Sequence, residues 1–204
     1  MAKMKLFHAG GTCSLATRIA LEEAGADYET VKVDFASGEQ TKPDYLAINP
    51  KGRVPALVTD KGVLTENVAL LAYIAQTHPA KKLAPLDDPF AFAKMQAFNA
   101  YLSSTVHVNH AHKGRGYRWA SEEPSFADMK RKVPETMAAS FELIDREMLT
   151  GPWVMGEQFT VADCYLYTLT RWLEGDGVDV ARFPKVADHM RRMAERPSVK
   201  AALA

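Results

Sequence analysis

The chain has 204 residues, enough to bury a sizeable core in one large or two small domains. Its 25 Lys and Arg residues balance its 25 Asp and Glu residues without long blocks of one sign, which argues against a nucleic-acid partner. The longest apolar run, 68–75, is far shorter than the ~20 residues that span a bilayer, and no apolar segment follows the basic start. We therefore expect a soluble protein that is not exported and has no membrane partner.

The chain contains two cysteines, Cys13 and Cys164. Two are too few for a disulfide framework or a cysteine-rich metal site. Such sparse use of cysteine is typical of a reducing compartment, so we expect the protein in the cytoplasm.

The first 77 residues alternate apolar runs of strand and helix length. The pattern predicts strands at 5–8, 28–33, 54–58 and 62–64 and helices at 14–24 and 67–76. This order implies an α/β sheet. The segment HPAKKLAPLDDP then interrupts both periodicities with prolines, so we expect a first domain at 1–78 and a linker at 79–89.

The rest of the chain, 90–204, has helical periodicity and is predicted to be an all-helical domain. The pattern predicts helices at 90–113, 125–148, 161–173 and 184–196. Thr160 and Asp163 have the spacing of a capping box at the start of one of them. Cys164 follows within that helix, where a small buried apolar residue is expected rather than a reactive thiol.

Cys13 stands in HAGGTCSLATRIALEEAG, between a predicted strand and a predicted helix. A thiol at a helix N-terminus faces unpaired amides and the positive end of the helix dipole, which lower its pKa from about 8.5. Gly10 and Gly11 permit a tight turn, and Ser14 can donate a hydrogen bond to the sulfur. We predict a reactive thiol, the alternative being a buried structural one. Position 16 is alanine instead of a second cysteine, so a redox cycle would need an external thiol.

Two further places can hold a thiol-containing ligand. Pro55 starts a predicted strand, where a proline that is cis would turn the backbone of Val54 toward a ligand; an ordinary edge-strand proline is the alternative. Glu66 and Asn67 open a helix, where a carboxylate can meet a ligand's amino group and the helix amides its carboxylate. The same pair can serve as a helix cap, and the two roles are compatible.

These residues and their order resemble the cytosolic glutathione transferases, most closely the bacterial beta class. The resemblance rests on MKLFHAGGTCSLATRIALEEAG, YLAINPKGRVPAL, LTENVALLAYIA, FTVADCYLYTLTRW and MAERPSVKAAL, which cover the chain from end to end. It implies the glutathione transferase fold, with a thioredoxin-like glutathione-binding domain followed by an all-helical domain that holds the acceptor pocket. It also implies glutathione as co-substrate and a homodimer with two separate active sites.

The resemblance implies roles for individual residues of the first domain. Cys13 matches the active-site cysteine, whose sulfur lies beside that of glutathione and can form a mixed disulfide with it. Val54 matches the backbone anchor for the cysteinyl part of glutathione, and Pro55 matches the cis-proline. Glu66 and Asn67 match the pair that holds the γ-glutamyl group, with Asn67 in place of the more usual Ser or Gly.

In the second domain, His107 matches a histidine that points toward the sulfur; a solvent-facing histidine is the alternative. Helical steps back from it place Ser104 and Ala100 on the same face, a stripe suited to lining a cleft, so Ser104 is assigned to the glutathione site. Ala100 replaces an asparagine of relatives and Val108 a lysine. Either departure weakens glutathione binding or shifts the thiol pKa.

Four residues are left without a settled role. His8 stands where relatives often have a tyrosine, and Lys42 is a weak candidate for a lysine that often reaches glutathione. His110 and His112 have a spacing that can bind a metal, but no second motif accompanies them, and we predict no metal.

The stretch after these histidines, KGRGYRW, contains two aromatic residues and two arginines that bear on the acceptor pocket. Tyr117 and Trp119 either form a wall of the pocket or pack at the start of a loop. Arg115 and Arg118 are expected on a solvated face.

We interpret the chain as a glutathione transferase in which Cys13, Ser14 and His107 surround the glutathione sulfur, whose thiolate attacks an electrophilic carbon or a disulfide. A cysteine thiol is a poorer hydrogen-bond donor than a hydroxyl but a better nucleophile, so thiol–disulfide exchange is expected to be at least as natural as conjugation. A glutathione-dependent thiol–disulfide reductase, a dehalogenase or an ether-cleaving lyase is the second hypothesis. A non-catalytic ligand-binding or interaction module ranks third, because Cys13 is retained.

Overall fold

The computed structural model describes residues 3–204; Met1 and Ala2, where the predicted first domain begins, lie outside the described residues. The α/β part contains four strands and three α-helices within that range. They are β1 (Met4–His8), α1 (Ser14–Ala24), β2 (Tyr28–Lys32), α2 (Pro43–Ile48), β3 (Ala56–Thr59), β4 (Gly62–Thr65) and α3 (Asn67–Thr77).

The strands form one mixed sheet in the order β2-β1-β3-β4. β1 and β2 are parallel, whereas β3 is antiparallel to both β1 and β4. Leu6 and Leu57 pair across β1 and β3 and are fully buried, as are Ile19 of α1 and Ile74 of α3. This topology, with α1 and α3 packed together, confirms the predicted thioredoxin-like domain.

The second part of the chain is helical, as predicted. Its helices are α4 (Pro89–Tyr101), α5 (His107–Arg115), α6 (Glu123–Leu143), α7 (Val161–Thr170), α8 (Pro184–Glu195) and α9 (Pro197–Leu203). α4 and α5 form the predicted continuous helix, but a π-helical segment, Leu102–Val106, joins them. Such wide turns are frequent at functional sites. Here the segment ends directly before His107.

α7 is buried along its whole length and begins with the predicted capping box of Thr160 and Asp163. The Asp163 carboxylate also accepts hydrogen bonds from the amide of Val154 at 2.8 Å and from Nε2 of His189 at 3.0 Å. Cys164 is fully buried, and burial raises its pKa well above the ordinary value, as expected for an unreactive thiol.

α1 lies between the two parts of the molecule. It packs against α3 on one side and against α7 and α9 of the helical part on the other. Arg196, between α8 and α9, makes a two-pronged ion pair with the carboxylate of Glu23 in α1. The N-terminus of α1, with Cys13, therefore lies at the junction of the two parts.

Three of the differences from the predicted elements have local reasons. The polar stretch before residue 49 contains α2, and Pro197 opens α9; in both helices a proline occupies the first turn, where its missing amide costs nothing. β3 begins at Ala56 instead of Val54, because Pro55 has no amide hydrogen for the ladder. None of the helices at 3–204 combines the length and apolarity needed to cross a membrane.

Candidate active site

A cavity of about 530 Å³ opens between the two parts of the molecule. This volume lies within the roughly 300–1,000 Å³ of small-molecule sites. Its sheet-domain wall consists of lining residues between 11 and 68, from the turn after β1, the loop before β3 and the start of α3. Its helical wall consists of lining residues between 103 and 172, from the π-helical segment, α5, the turn after α5 and the end of α7.

Cys13 lines the cavity as the N-cap residue of α1, but it is only 9% exposed. Its Sγ lies 3.4 Å from the carbonyl oxygen of Val54, to which the thiol donates. The carbonyl of Cys13 accepts a hydrogen bond from Nδ2 of Asn67 at 2.9 Å, and Oδ1 of Asn67 accepts one from the Thr17 hydroxyl at 2.7 Å. Long-range contacts on both sides therefore fix the thiol.

The expectation of a lowered thiol pKa is wrong. Burial raises the pKa of Cys13 to about 11, from an ordinary value of 9.0. The charge of Arg115 and hydrogen bonds to the sulfur act in the opposite direction but do not offset burial. The Cys13 thiol therefore keeps its proton at neutral pH, which favours a hydrogen-bond donor over a nucleophile.

Ser14 does not contact the sulfur as expected. Its Oγ lies 3.2 Å from both the amide and the carbonyl of Ala9, and 2.8 Å from the hydroxyl of Thr12. Gly11, in the same turn, has a φ of +70°, a left-handed conformation that glycine adopts without strain. Ser14 thus braces the turn that presents Cys13 instead of acting on its thiol.

The Val54–Pro55 peptide bond is cis, and both residues line the cavity. Val54 was predicted to begin the strand but lies outside the sheet, so its backbone is not engaged by a strand. The carbonyl of Arg53 accepts hydrogen bonds from the Tyr45 hydroxyl and from Nδ2 of Asn49, each at 2.6 Å. α2, which the sequence pattern did not predict, therefore helps to anchor this loop.

Glu66 and Asn67 line the cavity at the start of α3. Glu66 has a φ of +72°, a strained conformation for a residue other than glycine, and its exposed carboxylate pairs with Lys51. Asn67 is buried, and both ends of its side-chain amide are engaged by Cys13 and Thr17. Its backbone amide, in the first turn of the helix, is the group suited to a ligand.

His107 lines the cavity from the helical wall. Its ring meets the Trp172 ring edge-on, with centroids 5.0 Å apart, and its Nδ1 lies 3.5 Å from the Tyr165 hydroxyl. Burial lowers the pKa of His107 to about 4, and the positive charge of Arg115 acts in the same direction. The imidazole is therefore neutral at neutral pH and can donate or accept a hydrogen bond.

The structure does not bring Ser104 to the cavity of its own chain. Ser104 is exposed, and Ser103 lines the cavity instead. The π-helical segment makes a wider turn than an α-helix, so the face shared with His107 shifts from the third residue before it toward the fourth. The prediction assumed regular helical steps and therefore selected the neighbouring serine.

Of the other positions that the family resemblance singled out, only one lines the cavity. Val108 lines it, whereas Ala100 is exposed and His8 and Lys42 are not among its lining residues. His8 ends β1, where burial, assisted by the charge of Arg18, lowers its pKa. Lys42 is an exposed residue directly before α2.

The two remaining histidines of α5 make different contacts. His110 stacks on Trp172 with ring centroids 4.1 Å apart, and its Nδ1 lies 2.7 Å from a carboxylate oxygen of buried Asp176. His112 meets Trp119 edge-on, with centroids 4.5 Å apart. Residues 3–204 contain no group of three or more His, Cys, Asp or Glu placed to hold a metal ion.

Arg115 and Arg118 line the cavity; Arg118 is exposed as expected, whereas Arg115 is partly buried, so the expectation of a solvated face is wrong for Arg115. Tyr117 and Trp119 also line it, which favours the pocket-wall interpretation; they are 64% and 46% exposed. Arg115 follows His107 by two helical turns, a spacing that could have found it. Arg118 lies in the turn beyond α5, where no periodicity applies.

Trp172 was not predicted to take part in the site. Its Nε1 donates to the carbonyl oxygen of Gly11 at 3.1 Å, which joins the helical wall to the turn before Cys13. The same ring contacts His107 and His110. No local pattern marks this tryptophan, because its role depends on a contact between residues far apart in the chain.

Comparison with known proteins gives the same division of the chain into two parts. The model for the glutathione S-transferase N-terminal domain matches residues 2–76, and the model for the glutathione S-transferase C-terminal domain matches residues 67–197. The chain is 35% identical over 203 residues to the glutathione S-transferase GstA of Escherichia coli O157:H7, covering 98% of this chain and 97% of that protein.

Solved structures are similar over the same span. A glutathione transferase homologue from Sulfitobacter, crystallised with bound glutathione, is 52% identical, with a TM-score of 0.96 over 98% of this chain and 97% of that one. A bacterial beta class glutathione S-transferase from Sphingomonas chungbukensis is 36% identical, with a TM-score of 0.86 over 98% and 96% of the chains. Fold and cavity define a two-domain enzyme whose candidate site lies at the junction of the domains. The chain belongs to the glutathione S-transferase family and is a glutathione transferase.

Proposed function

We propose that this enzyme belongs to the beta class and transfers glutathione, through its sulfur, to an electrophilic carbon. The observation that carries the proposal is that a single cavity brings together Cys13, Val54, Glu66 and His107, although they come from four separate segments of the chain. These are the groups that the family resemblance assigns to glutathione.

Glutathione lies along the sheet-domain wall. The carboxylate of Glu66 meets the amino group of the γ-glutamyl part, and the backbone amide of Asn67 meets its carboxylate. The backbone of Val54, which no strand engages, pairs with the cysteinyl part. This arrangement places the glutathione sulfur between Cys13 and His107 before the reaction, so that little orientational freedom remains to be lost.

Cys13 and His107 stabilise the glutathione thiolate as neutral groups. Because the pKa of Cys13 is raised, its thiol keeps its proton and can redirect the hydrogen bond from Val54 to the glutathione sulfur. His107 donates a second hydrogen bond. The thiolate, having lost its proton to solvent, attacks the electrophilic carbon; a carbon–sulfur bond forms, and the leaving group departs with its electron pair.

Thiol–disulfide exchange is the second candidate, supported by the position of the Cys13 sulfur in the cavity and by the charge of Arg115, which favours a thiolate there. The Cys13 thiolate would attack the glutathione sulfur of a disulfide between glutathione and a substrate, release the substrate as its thiolate and leave glutathione bound to Cys13. A second glutathione would then reduce the mixed disulfide. The raised pKa makes this slower than conjugation at neutral pH.

The oligomeric state, the location, the domain bounds and the partners are inferred from the family resemblance and from composition. We propose a homodimer in the cytoplasm, with domains at 1–78 and 90–204 joined by a linker at 79–89. The proposed partners are glutathione and a small electrophile, without a resident metal.

The test compares wild type with Cys13→Ser and Cys13→Ala. We expect the serine variant, which retains a donor, to keep most of its conjugating activity toward an aryl halide, and the alanine variant to lose about ten-fold. Equal loss in both variants, together with a glutathione adduct in the intact mass of wild type treated with oxidised glutathione, would instead support exchange. Failure of glutathione to bind at millimolar concentration in calorimetry would favour the non-catalytic module.

A further inference from the structure

The cavity is more positively charged than the protein as a whole. The chain has a formal net charge of zero. Arg115 and Arg118 lie on the helical wall and Arg53 on the sheet-domain wall, whereas Glu66 is the sole carboxylate residue among the lining residues of the described chain. Glu66, on the sheet-domain wall, is already paired with Lys51, so the positive charges of the helical wall opposite are not balanced by it. A cleft with this charge concentrates anions.

Arg115 is the most informative of these cations. It is partly buried, yet its guanidinium makes no hydrogen bond or ion pair with any residue in 3–204. Burial and the neighbouring Arg118 lower its pKa. Arg196, also partly buried, has a two-pronged ion pair with Glu23, and its pKa is raised. Since a desolvated guanidinium without an anion is costly, Arg115 has the character of a binding group whose anion comes from outside the chain.

Aromatic side chains accompany the two arginines. Tyr117 and Trp119 flank Arg118 in sequence, line the same wall and are well exposed. The Arg118 guanidinium carbon lies 6.0 Å from the centre of the Tyr117 ring, at the outer limit of a cation–π contact. Exposed aromatic rings in a cavity offer surface on which a planar apolar ligand can stack.

We propose that the helical wall is an acceptor subsite selective for aromatic electrophiles that carry a carboxylate. The carboxylate pairs with Arg115 and Arg118, and the ring lies against Tyr117 and Trp119. This inference rests on the proposed function, in which glutathione occupies the opposite wall. Arg53 belongs to that opposite wall and suits a carboxylate of glutathione itself.

The test uses two acceptors that differ in charge alone: a chlorodinitrobenzoate with its chlorine para to the carboxylate, and the corresponding benzamide. In each reaction the glutathione thiolate displaces chloride. Each catalysed rate is divided by the uncatalysed rate with glutathione, so that differences in intrinsic reactivity cancel. We expect wild type to favour the benzoate by at least about ten-fold in corrected kcat/KM, the usual strength of a charged hydrogen bond.

Variants locate the selectivity. Arg115→Gln is expected to reduce the benzoate-to-benzamide ratio about ten-fold without a comparable rise in the KM for glutathione, and Arg115→Lys to restore part of it. Arg131→Gln, which removes an exposed arginine of α6, is the matched control and keeps the wild-type ratio. A ratio near one in wild type, or an Arg115→Gln effect confined to the KM for glutathione, would overturn the proposal.

A binding measurement separates this inference from the proposed function. Dinitrobenzoate and dinitrobenzamide, which lack the leaving group, are titrated by quenching of tryptophan fluorescence in the presence of glutathione. Tighter binding of the benzoate, lost in Arg115→Gln, supports the subsite even if no acceptor is turned over, in which case the proposed function alone fails. Turnover of both acceptors without charge selectivity in rate or binding supports the proposed function and refutes the subsite.

Discussion

The two walls of the cavity are built on different principles. On the sheet-domain wall, hydrogen bonds within the protein hold the polar groups around Cys13: Asn67 joins Cys13 to Thr17, and the Arg53 carbonyl accepts two hydrogen bonds. On the helical wall, Arg115 has no partner among the described residues, and aromatic rings are exposed. A satisfied wall presents one fixed arrangement of backbone groups. On a wall with unpaired groups, a ligand that pairs with those groups gains binding energy.

This difference corresponds to a division of labour. A co-substrate that is the same in every reaction is best held by a rigid surface whose groups need no rearrangement. Selection among acceptors requires groups that are costly until the right ligand pairs with them. Changes on the first wall should therefore affect folding, and changes on the second should affect selectivity.

The strongest test of this contrast compares the stability of Asn67→Leu with that of Arg115→Met. Asn67→Leu leaves the buried Thr17 hydroxyl without its acceptor and removes a bond to Cys13, so we expect a loss of about 3–4 kcal/mol in the free energy of unfolding. Arg115→Met removes an unpaired charge and should cost less than about 1 kcal/mol or stabilise the protein. Urea unfolding measures both. Similar losses would refute the contrast.

His107 should make stability depend on pH. Its pKa is lowered from 6.5 to about 4, so between these values the unfolded chain binds a proton that the folded chain does not. The contribution of His107 to the free energy of unfolding is therefore fully present above pH 6.5 and decreases by about 3 kcal/mol as pH falls toward 4. His107→Asn should flatten this part of the profile in urea unfolding. An unchanged profile would mean that His107 does not supply the effect.

Cys13 should be slow to alkylate. A pKa of about 11 instead of 9.0 implies about 100-fold less thiolate, and a rate with iodoacetamide that rises about ten-fold per pH unit between pH 7 and 9 without a plateau. Cys13→Ser corrects for the buried Cys164. Arg115→Gln should slow the reaction further, because removal of a positive charge raises the thiol pKa. A plateau below pH 9 would contradict the neutral thiol.

The smallest effect is expected at the bond that joins the two walls. Trp172→Phe keeps the stacking on His110 but removes the hydrogen bond to the Gly11 carbonyl, at a cost of about 1 kcal/mol. Trp119→Phe, at an exposed ring, is the matched control and should change stability by less than half of that. If both variants behave alike in thermal unfolding, the bond does not contribute to joining the walls.

The sheet-domain wall could be predicted because its signals are local. A glycine turn before a helix, a proline at the start of a strand and an acidic residue at a helix start each have a meaning within a few residues. These patterns located Cys13, Val54, Pro55, Glu66 and Asn67 along the cavity. They did not reveal that Asn67 would be engaged by Thr17, which lies 50 residues away in the chain.

The helical wall was less predictable because its geometry depends on register and burial. The π-helical segment moved the lining position from Ser104 to Ser103, and no pattern in the sequence predicts this segment. The predicted direction of the Cys13 pKa shift was wrong because a helix N-terminus is a local feature, whereas desolvation depends on everything packed around the sulfur. Arg115 was expected on a solvated face, and only the full structure reveals its place in the cavity and its lack of a side-chain partner among the described residues.

We infer that the thiolate of this site belongs to glutathione, while Cys13 remains a neutral donor. Thiolate absorbance in the ultraviolet, measured by difference at neutral pH, distinguishes the two sulfurs. We expect no thiolate signal from the protein alone, about one thiolate per chain at saturating glutathione, and most of that signal retained in Cys13→Ser. A thiolate signal in the protein alone that disappears in Cys13→Ser, with none added by glutathione, would contradict it.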